Sequence, residues 1–163
     1  MKKLTIYTDG SCLSNGSDNA PGGWGAILIY KNNKKTISGG IENTTSNRAE
    51  LVATIEALSI VKEPCQIDLY TDSSYIVNTM TKNWKRNANT DLWDKLEDLT
   101  KNHDIDWIWV KGHNNDKYNE LVNSLAQTQS AKVSAGLAKN IASYGEKKIN
   151  TISEEVKQMT LNL

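Results

Sequence analysis

Several things are scarce in this 163-residue chain, and each scarcity excludes something. There are two cysteines, Cys12 and Cys65. With no secretory leader ahead of them, they are expected to stay reduced thiols. No apolar run approaches the roughly 18 residues that a membrane-spanning helix needs. The opening Met1-Lys2-Lys3-Leu4-Thr5-Ile6-Tyr7 alternates like a strand and has no apolar signal-peptide core, so a cytoplasmic protein is expected. Net charge is also absent, with 19 basic residues against 19 acidic. That argues against a uniformly basic nucleic-acid binder, although where charges sit matters more than their sum. Ser73 to Thr90 contains no acid and carries Lys82, Lys85 and Arg86 around Trp84, which makes a local basic segment. No internal repeat is visible. A chain of this length can bury its own core as one domain.

The periodicity changes along the chain. Leu4, Ile6 and Thr8 alternate with Lys3, Thr5 and Tyr7 as a strand. Residues 10–23, rich in Gly, Ser, Asn and Asp, read as a loop. Strands at 24–30 and 34–41 follow, joined by a turn at Asn32-Asn33. From Thr45 to Val61 the period becomes helical, with Leu51, Ile55 and Leu58 on one stripe, Thr45 or Ser46 as the cap, and Pro64 beyond the end. A strand at 66–70 leads to a helix opening at Ser73 or Ser74. A helix at 91–101, a strand at 105–110 and a helix at 117–129 complete the domain, the last with Tyr118, Leu121 and Leu125 turned inward. Trp107 and Trp109 alternate onto one strand face and read as core or sheet-face residues. An antiparallel meander followed by alternating strands and helices predicts an α/β fold with a mixed sheet flanked by helices. Residues 1–129 form the expected domain. Residues 130–163 form an expected helical extension, from the spacing of Val133, Leu137, Ile141 and Tyr144 and of Ile149, Ile152, Val156 and Met159.

Three acids occupy chemically telling places. Asp9 ends the first strand, Asp72 ends the fourth, and Glu50 lies one turn into the first helix. If the two strands are neighbours, both aspartates leave the sheet at one edge, where α/β sheets place their ligands. A helix packed on that sheet brings Glu50 beside them. Three carboxylates in one pocket raise each other's pKa, and an all-oxygen ligand set favours Mg²⁺ or Mn²⁺ over zinc.

The contexts of these acids are specific. Thr8-Asp9-Gly10-Ser11-Cys12, Gly22-Gly23-Trp24-Gly25-Ala26, Thr44-Thr45-Ser46-Asn47-Arg48-Ala49-Glu50-Leu51, Thr71-Asp72-Ser73-Ser74-Tyr75 and Trp109-Val110-Lys111-Gly112-His113 occur in that order. Together they resemble the type 1 ribonucleases H over residues 3 to about 128. The resemblance implies the ribonuclease H-like fold, with a five-stranded mixed sheet. It also implies two Mg²⁺ ions, with Mn²⁺ as a substitute, and hydrolysis of the RNA strand of RNA–DNA hybrids to 5′-phosphate and 3′-hydroxyl ends. Asp9, Glu50 and Asp72 match the first three metal ligands of that family. His113 matches a loop histidine that assists proton transfer or product release, in keeping with an imidazole on a polar turn. The fourth ligand of the family is an aspartate, and here Asn123 stands at its position. An amide offers an oxygen without the charge, so weaker binding of the metal that activates water and a slower chemical step are expected. Glu120 lies three residues earlier on the same helix face as a partial substitute. Two origins account for Asn123, an introduced Asp→Asn change or natural divergence; the intact remainder of the site favours the first.

By the same resemblance Cys12, Ser14, Asn15, Ser46 and Asn47 line the minor groove of the hybrid, with Ser74 nearby, and sense the 2′-hydroxyls. Thr45 resembles part of a DNA-phosphate pocket, and Trp84 a tryptophan that packs on the DNA sugar, with Lys85 beside it. The basic protrusion of some bacterial members is missing, because 84–90 runs almost directly into Asp91-Leu92-Trp93. The expected partner is an RNA–DNA hybrid and the expected state a monomer. Two other readings remain open: a catalytically silent hybrid-binding module, and a DNase or transposase-type nuclease of the same superfold.

Overall fold

The computed structural model describes residues 1–14, 20–112, 115–136 and 141–142. The alternating N-terminus forms β1 (Lys2–Cys12), which pairs antiparallel with β2 (Ala20–Tyr30); β2 pairs antiparallel with β3 (Asn33–Thr44). The hairpin turn falls one residue earlier than expected. Tyr30 pairs with Asn33, and Lys31 takes the left-handed conformation with φ of 54°.

The parallel part of the sheet adds β4 (Cys65–Thr71) beside β1 and β5 (Asp104–Trp109) beside β4. The order is β5-β4-β1-β2-β3, the expected five-stranded mixed sheet, with a two-residue β6 (Ile141–Ala142) at the far edge. Four helices connect and cover it: α1 (Ser46–Ser59), α2 (Ser74–Lys82), α3 (Thr90–Thr100) and α4 (Lys117–Ser134). Among the described residues no helix is long and apolar enough to cross a membrane.

One face of the sheet carries the main core. Leu4, Ile6, Leu28, Ile67 and Leu69 meet Leu51, Ile55 and Leu58 of α1, with Trp93 and Leu96 of α3 behind. α1 is capped as predicted: the Thr45 hydroxyl accepts from the Arg48 N–H at 3.3 Å. Its burial differs from the predicted single stripe, since every residue from Ala49 to Leu58 is buried. The helix packs on β1, β2 and β3 and also against α3, so neither side reaches water.

The opposite face is covered by α4, and here two expectations need correction. The residues 10–23 are not all loop; both ends are strand, and Gly22, Gly23 and Gly25 are ladder positions. The inward stripe of α4 is Asn119, Val122, Ala126 and Ser130, whereas Tyr118, Leu121 and Leu125 are half-buried. Both corrections have one cause. A Cβ at Gly23 would run into the Ala126 carbonyl, and one at Gly25 would lie 2.7 Å from Leu125 Cβ and 2.8 Å from the Val122 carbonyl. The helix backbone rests directly on a glycine strand, which only small facing residues permit.

α4 also runs past the expected domain boundary at residue 129, ending at Ser134 with Gly136 at φ of 72° behind it. Ile141 and Ala142 are not helical; they pair in parallel with Gly40 and Ile41, using the open backbone groups of the β3 edge. The rest of the expected extension, 137–140 and 143–163, lies outside the described residues.

Candidate active site

Register brings the two aspartates together. The parallel pairs between β1 and β4 end at Tyr7 with Tyr70, and Asp9 and Asp72 each stand two residues further on. Both therefore emerge at the same edge of the sheet. Glu50 arrives because Gly10 has no side chain: a Cβ there would overlap the Ala49 carbonyl carbon and the Glu50 nitrogen. The start of α1 thus sits on the strand next to Asp9. One carboxylate oxygen from each of Asp9, Glu50 and Asp72 lies within 4.8 Å of the others.

The pocket is electrostatically strained. Asp9 is 3% exposed and Glu50 9%. Burial is the main cause that raises the Asp9 carboxyl from its ordinary 3.8 to about 7; a hydrogen bond from Glu50 opposes the rise and the charge of Asp72 adds to it. The Gly10 N–H donates to Asp9 Oδ1 at 2.9 Å and also favours the ionised form. Burial, followed by the negative charges around it, pushes Glu50 well above the usual carboxylate range. Its Oε2 is buried without a hydrogen-bond partner. An orphaned carboxylate oxygen among three converging acids fits a divalent cation, which would relieve the repulsion and occupy the unpaired oxygen.

Asp72 lies just outside regular structure, between β4 and α2. The Ser73 N–H donates to Thr71 Oγ1 at 3.1 Å, and the Ser73 hydroxyl caps α2 by accepting from the Ile76 N–H at 3.2 Å. On the β5 side the Trp109 indole N–H donates to the Asp72 carbonyl at 3.2 Å. Gly112 packs so closely that a Cβ there would stand 3.2 Å from Asp72 Oδ2.

Asn123 is half-buried on α4. Its neighbours Val122 and Leu125 lie over Gly25, which is the strand partner of Asp9. Asp9 and Gly25 share a sheet face, so the turn of α4 that carries Asn123 lies on the Asp9 side of the sheet. Glu120 is exposed. His113 lies outside the described residues, as does Asn15.

The remaining candidates surround this edge. Cys12 is half-buried at the end of β1, with Sγ 3.6 Å from the Thr44 carbonyl. Ser14 is exposed in a left-handed conformation, φ 56°. Thr45, Ser46 and Asn47 form the start of α1, and Ser74 the start of α2. Trp84 is 49% exposed, with Lys82 and Lys85 exposed beside it. Arg86 is turned away from this patch: it pairs with Glu97 at 2.8 Å and lies over the Trp93 ring.

Sequence reasoning missed a connecting network. Arg48 donates to both carboxylate oxygens of Asp91, at 3.0 and 2.8 Å, and to Asn89 Oδ1 at 3.2 Å. The Asn89 amide and the Trp93 indole both donate to the Tyr75 hydroxyl. The helix carrying Glu50 and the helix following Asp72 are thereby tied to one end of α3. The available signal was Arg48 itself, two residues before Glu50. His103 is half-buried and accepts from the Cys65 N–H at 3.2 Å, fixing the start of β4.

A mixed sheet in this order, with acids converging at one edge and α4 closing the far face, defines a ribonuclease H-like domain with a metal-suited acidic pocket. The family model described as RNase H matches residues 1–131. The chain is 47% identical over 146 residues to the ribonuclease H of Acetivibrio thermocellus, covering 81% of this chain and 97% of that protein. It is 44% identical over 151 residues to the ribonuclease H of Xanthomonas campestris pv. campestris, covering 85% and 99%. Among solved structures it is similar to LC9-RNase H1, described as a type 1 RNase H with the type 2 active-site motif. That likeness has a TM-score of 0.72 and 30% identity, over 80% of this chain and 73% of the other. LC11-RNase H1, solved in complex with an RNA/DNA hybrid, shares the fold at a TM-score of 0.62 and 24% identity, over 77% and 97%. The chain belongs to the RNase H family.

Proposed function

We propose that this chain hydrolyses the RNA strand of RNA–DNA hybrids internally, leaving 5′-phosphate and 3′-hydroxyl ends. The observation that carries the reading is the convergence of the Asp9, Glu50 and Asp72 carboxylates within 4.8 Å. These three and Asn123 would hold two Mg²⁺ ions, or Mn²⁺ in their place. Bound divalent ions supply an activated water for attack on phosphorus and offset charge on the leaving oxygen. The chain's own residues do the rest. Burial of Asp9 and Glu50 makes each carboxyl hold its proton more tightly, so a cation would displace protons there and bind better as pH rises. His113 would carry a proton at the leaving oxygen or help product depart.

Cys12, Ser14, Asn15, Ser46, Asn47 and Ser74 would touch the minor groove and recognise the 2′-hydroxyls of the RNA. Thr45, Trp84 and Lys85 would hold the DNA strand, Thr45 and Lys85 at phosphates and Trp84 on a sugar. The LC11-RNase H1 complex with an RNA/DNA hybrid supports this use of the fold. The protein would work as a cytoplasmic monomer. Asn123 brings an oxygen but no charge, so the chemical step would be slow while hybrid binding is retained.

Asn123 also favours a second reading, a hybrid-binding module without catalysis. A gel assay on an end-labelled hybrid with Mg²⁺ or Mn²⁺ separates the two. The enzyme reading expects internal RNA cuts with 5′-phosphate ends that disappear in Asp72→Asn. A chain that binds hybrid and leaves it intact, with or without Asn123→Asp, is a binding module. Preferential cutting of duplex DNA would instead identify a DNase of the same superfold.

A further inference from the structure

We propose that Trp109 is a positioning residue for the metal site: its indole N–H holds the Asp72 main chain where the Asp72 carboxylate meets Asp9 and Glu50. The inference rests on the metal-binding role proposed above.

The three acids are held by different means. Asp9 is within β1, and Glu50 is within a helix buried on nearly all sides. Asp72 has neither support. The β4–β5 pairing ends at Thr71 opposite Trp109, and the last main-chain rung is the Val110 N–H to the Thr71 carbonyl at 2.9 Å. One residue later the chain turns toward α2, and the Asp72 carbonyl lies beyond the ladder. The Trp109 indole N–H reaches it at 3.2 Å, adding a side-chain rung where the main chain offers none. Gly112 closes the other side, near Asp72 Oδ2.

Core packing does not explain this tryptophan. Trp107, two residues earlier on the same strand face, packs against the core, whereas Trp109 is 53% exposed. A phenylalanine would offer a similar apolar surface without the donor, and the donor is the part that meets Asp72. Three carboxylates crowded together repel one another, so the acid with the least regular backbone gains most from a tether. A small displacement at such a site weakens cation binding more than it weakens the fold.

Trp109→Phe in the full chain tests this. Calorimetric titration with Mg²⁺, without substrate, is expected to show half-saturation at about 3- to 10-fold higher concentration, the scale of one neutral hydrogen bond. The metal-free melting temperature should fall by no more than about 5 °C, and the KM for hybrid at saturating Mg²⁺ should stay unchanged. Unaltered Mg²⁺ affinity overturns the proposal, and so does a raised hybrid KM with unaltered metal affinity, which would mark a substrate contact instead. A second measurement is independent of metal. In ¹H–¹⁵N spectra of the metal-free protein, the Trp109 indole proton should exchange with solvent more slowly than that of Trp84. Equally fast exchange overturns the hold on Asp72. If the parent chain takes up no Mg²⁺ and Asp72→Asn behaves identically, the metal reading has failed, and the indole exchange alone decides whether Trp109 tethers Asp72.

Discussion

Neutralising Asp9 should stabilise the metal-free protein, and by an amount that depends on pH. Asp9 is 3% exposed, and its carboxyl is raised from 3.8 to about 7, mainly by burial. The folded chain therefore holds this proton more tightly than the unfolded chain. The stabilising effect of that proton is fully present below pH 3.8, falls as pH rises toward 7, and is gone above it. At about 1.4 kcal/mol per pH unit, the full loss is about 4 kcal/mol. Asp9→Asn keeps an acceptor for the Gly10 N–H and removes the buried charge. With chelator at pH 8 it should gain about 2–4 kcal/mol, or on the order of 5–15 °C in melting temperature for a chain of this size. Roughly 2–3 kcal/mol of that advantage should vanish at pH 5, where the parent Asp9 is again largely protonated. Millimolar Mg²⁺ should also narrow the gap by stabilising the parent alone. Urea unfolding of both proteins at the two pH values, with chelator and with Mg²⁺, measures each quantity. A variant no more stable than the parent at pH 8, or a gap equal at both pH values, would show that the buried charge does not strain this pocket.

Three further outcomes follow from the same geometry. Asn123→Asp should raise Mg²⁺-dependent hybrid cleavage by about 10-fold or more, since it adds a charged ligand, while hybrid affinity stays put; single-turnover kinetics with a parallel binding assay would expose an equal change in both as contrary to the reading. Gly25→Ala places a Cβ 2.7 Å from Leu125 Cβ and 2.8 Å from the Val122 carbonyl. That overlap should cost about 1–3 kcal/mol and, by pushing α4 away, slow cleavage through Asn123; an unchanged melting temperature would mean the close approach is not real. Lys85→Ala should reduce the slope of log affinity against log salt for hybrid binding by about one, and an unchanged slope removes Lys85 from the phosphate contacts.

The sequence by itself determined the elements and the chemistry. Alternation and turn signals placed the central parts of the strands, helical spacing and the Thr45 cap placed α1, and ordered motifs singled out Asp9, Glu50 and Asp72, because these signals are local. Tertiary structure decided what depends on neighbours distant in the chain. Pairing of β1 with β4 set Asp9 beside Asp72, and Gly10 let Glu50 close the group. Close contact of the α4 backbone with β2 explains the glycines at Gly23 and Gly25, and why α4 turns Ala126 and Ser130 inward instead of its leucines. Arg48 and Trp109 gained their roles the same way, from partners 43 and 37 residues away. A periodic pattern reports which face of an element is apolar. It carries no record of what lies across that face, and only the packed chain supplies the partner, the burial and the shifted carboxyls that follow from it.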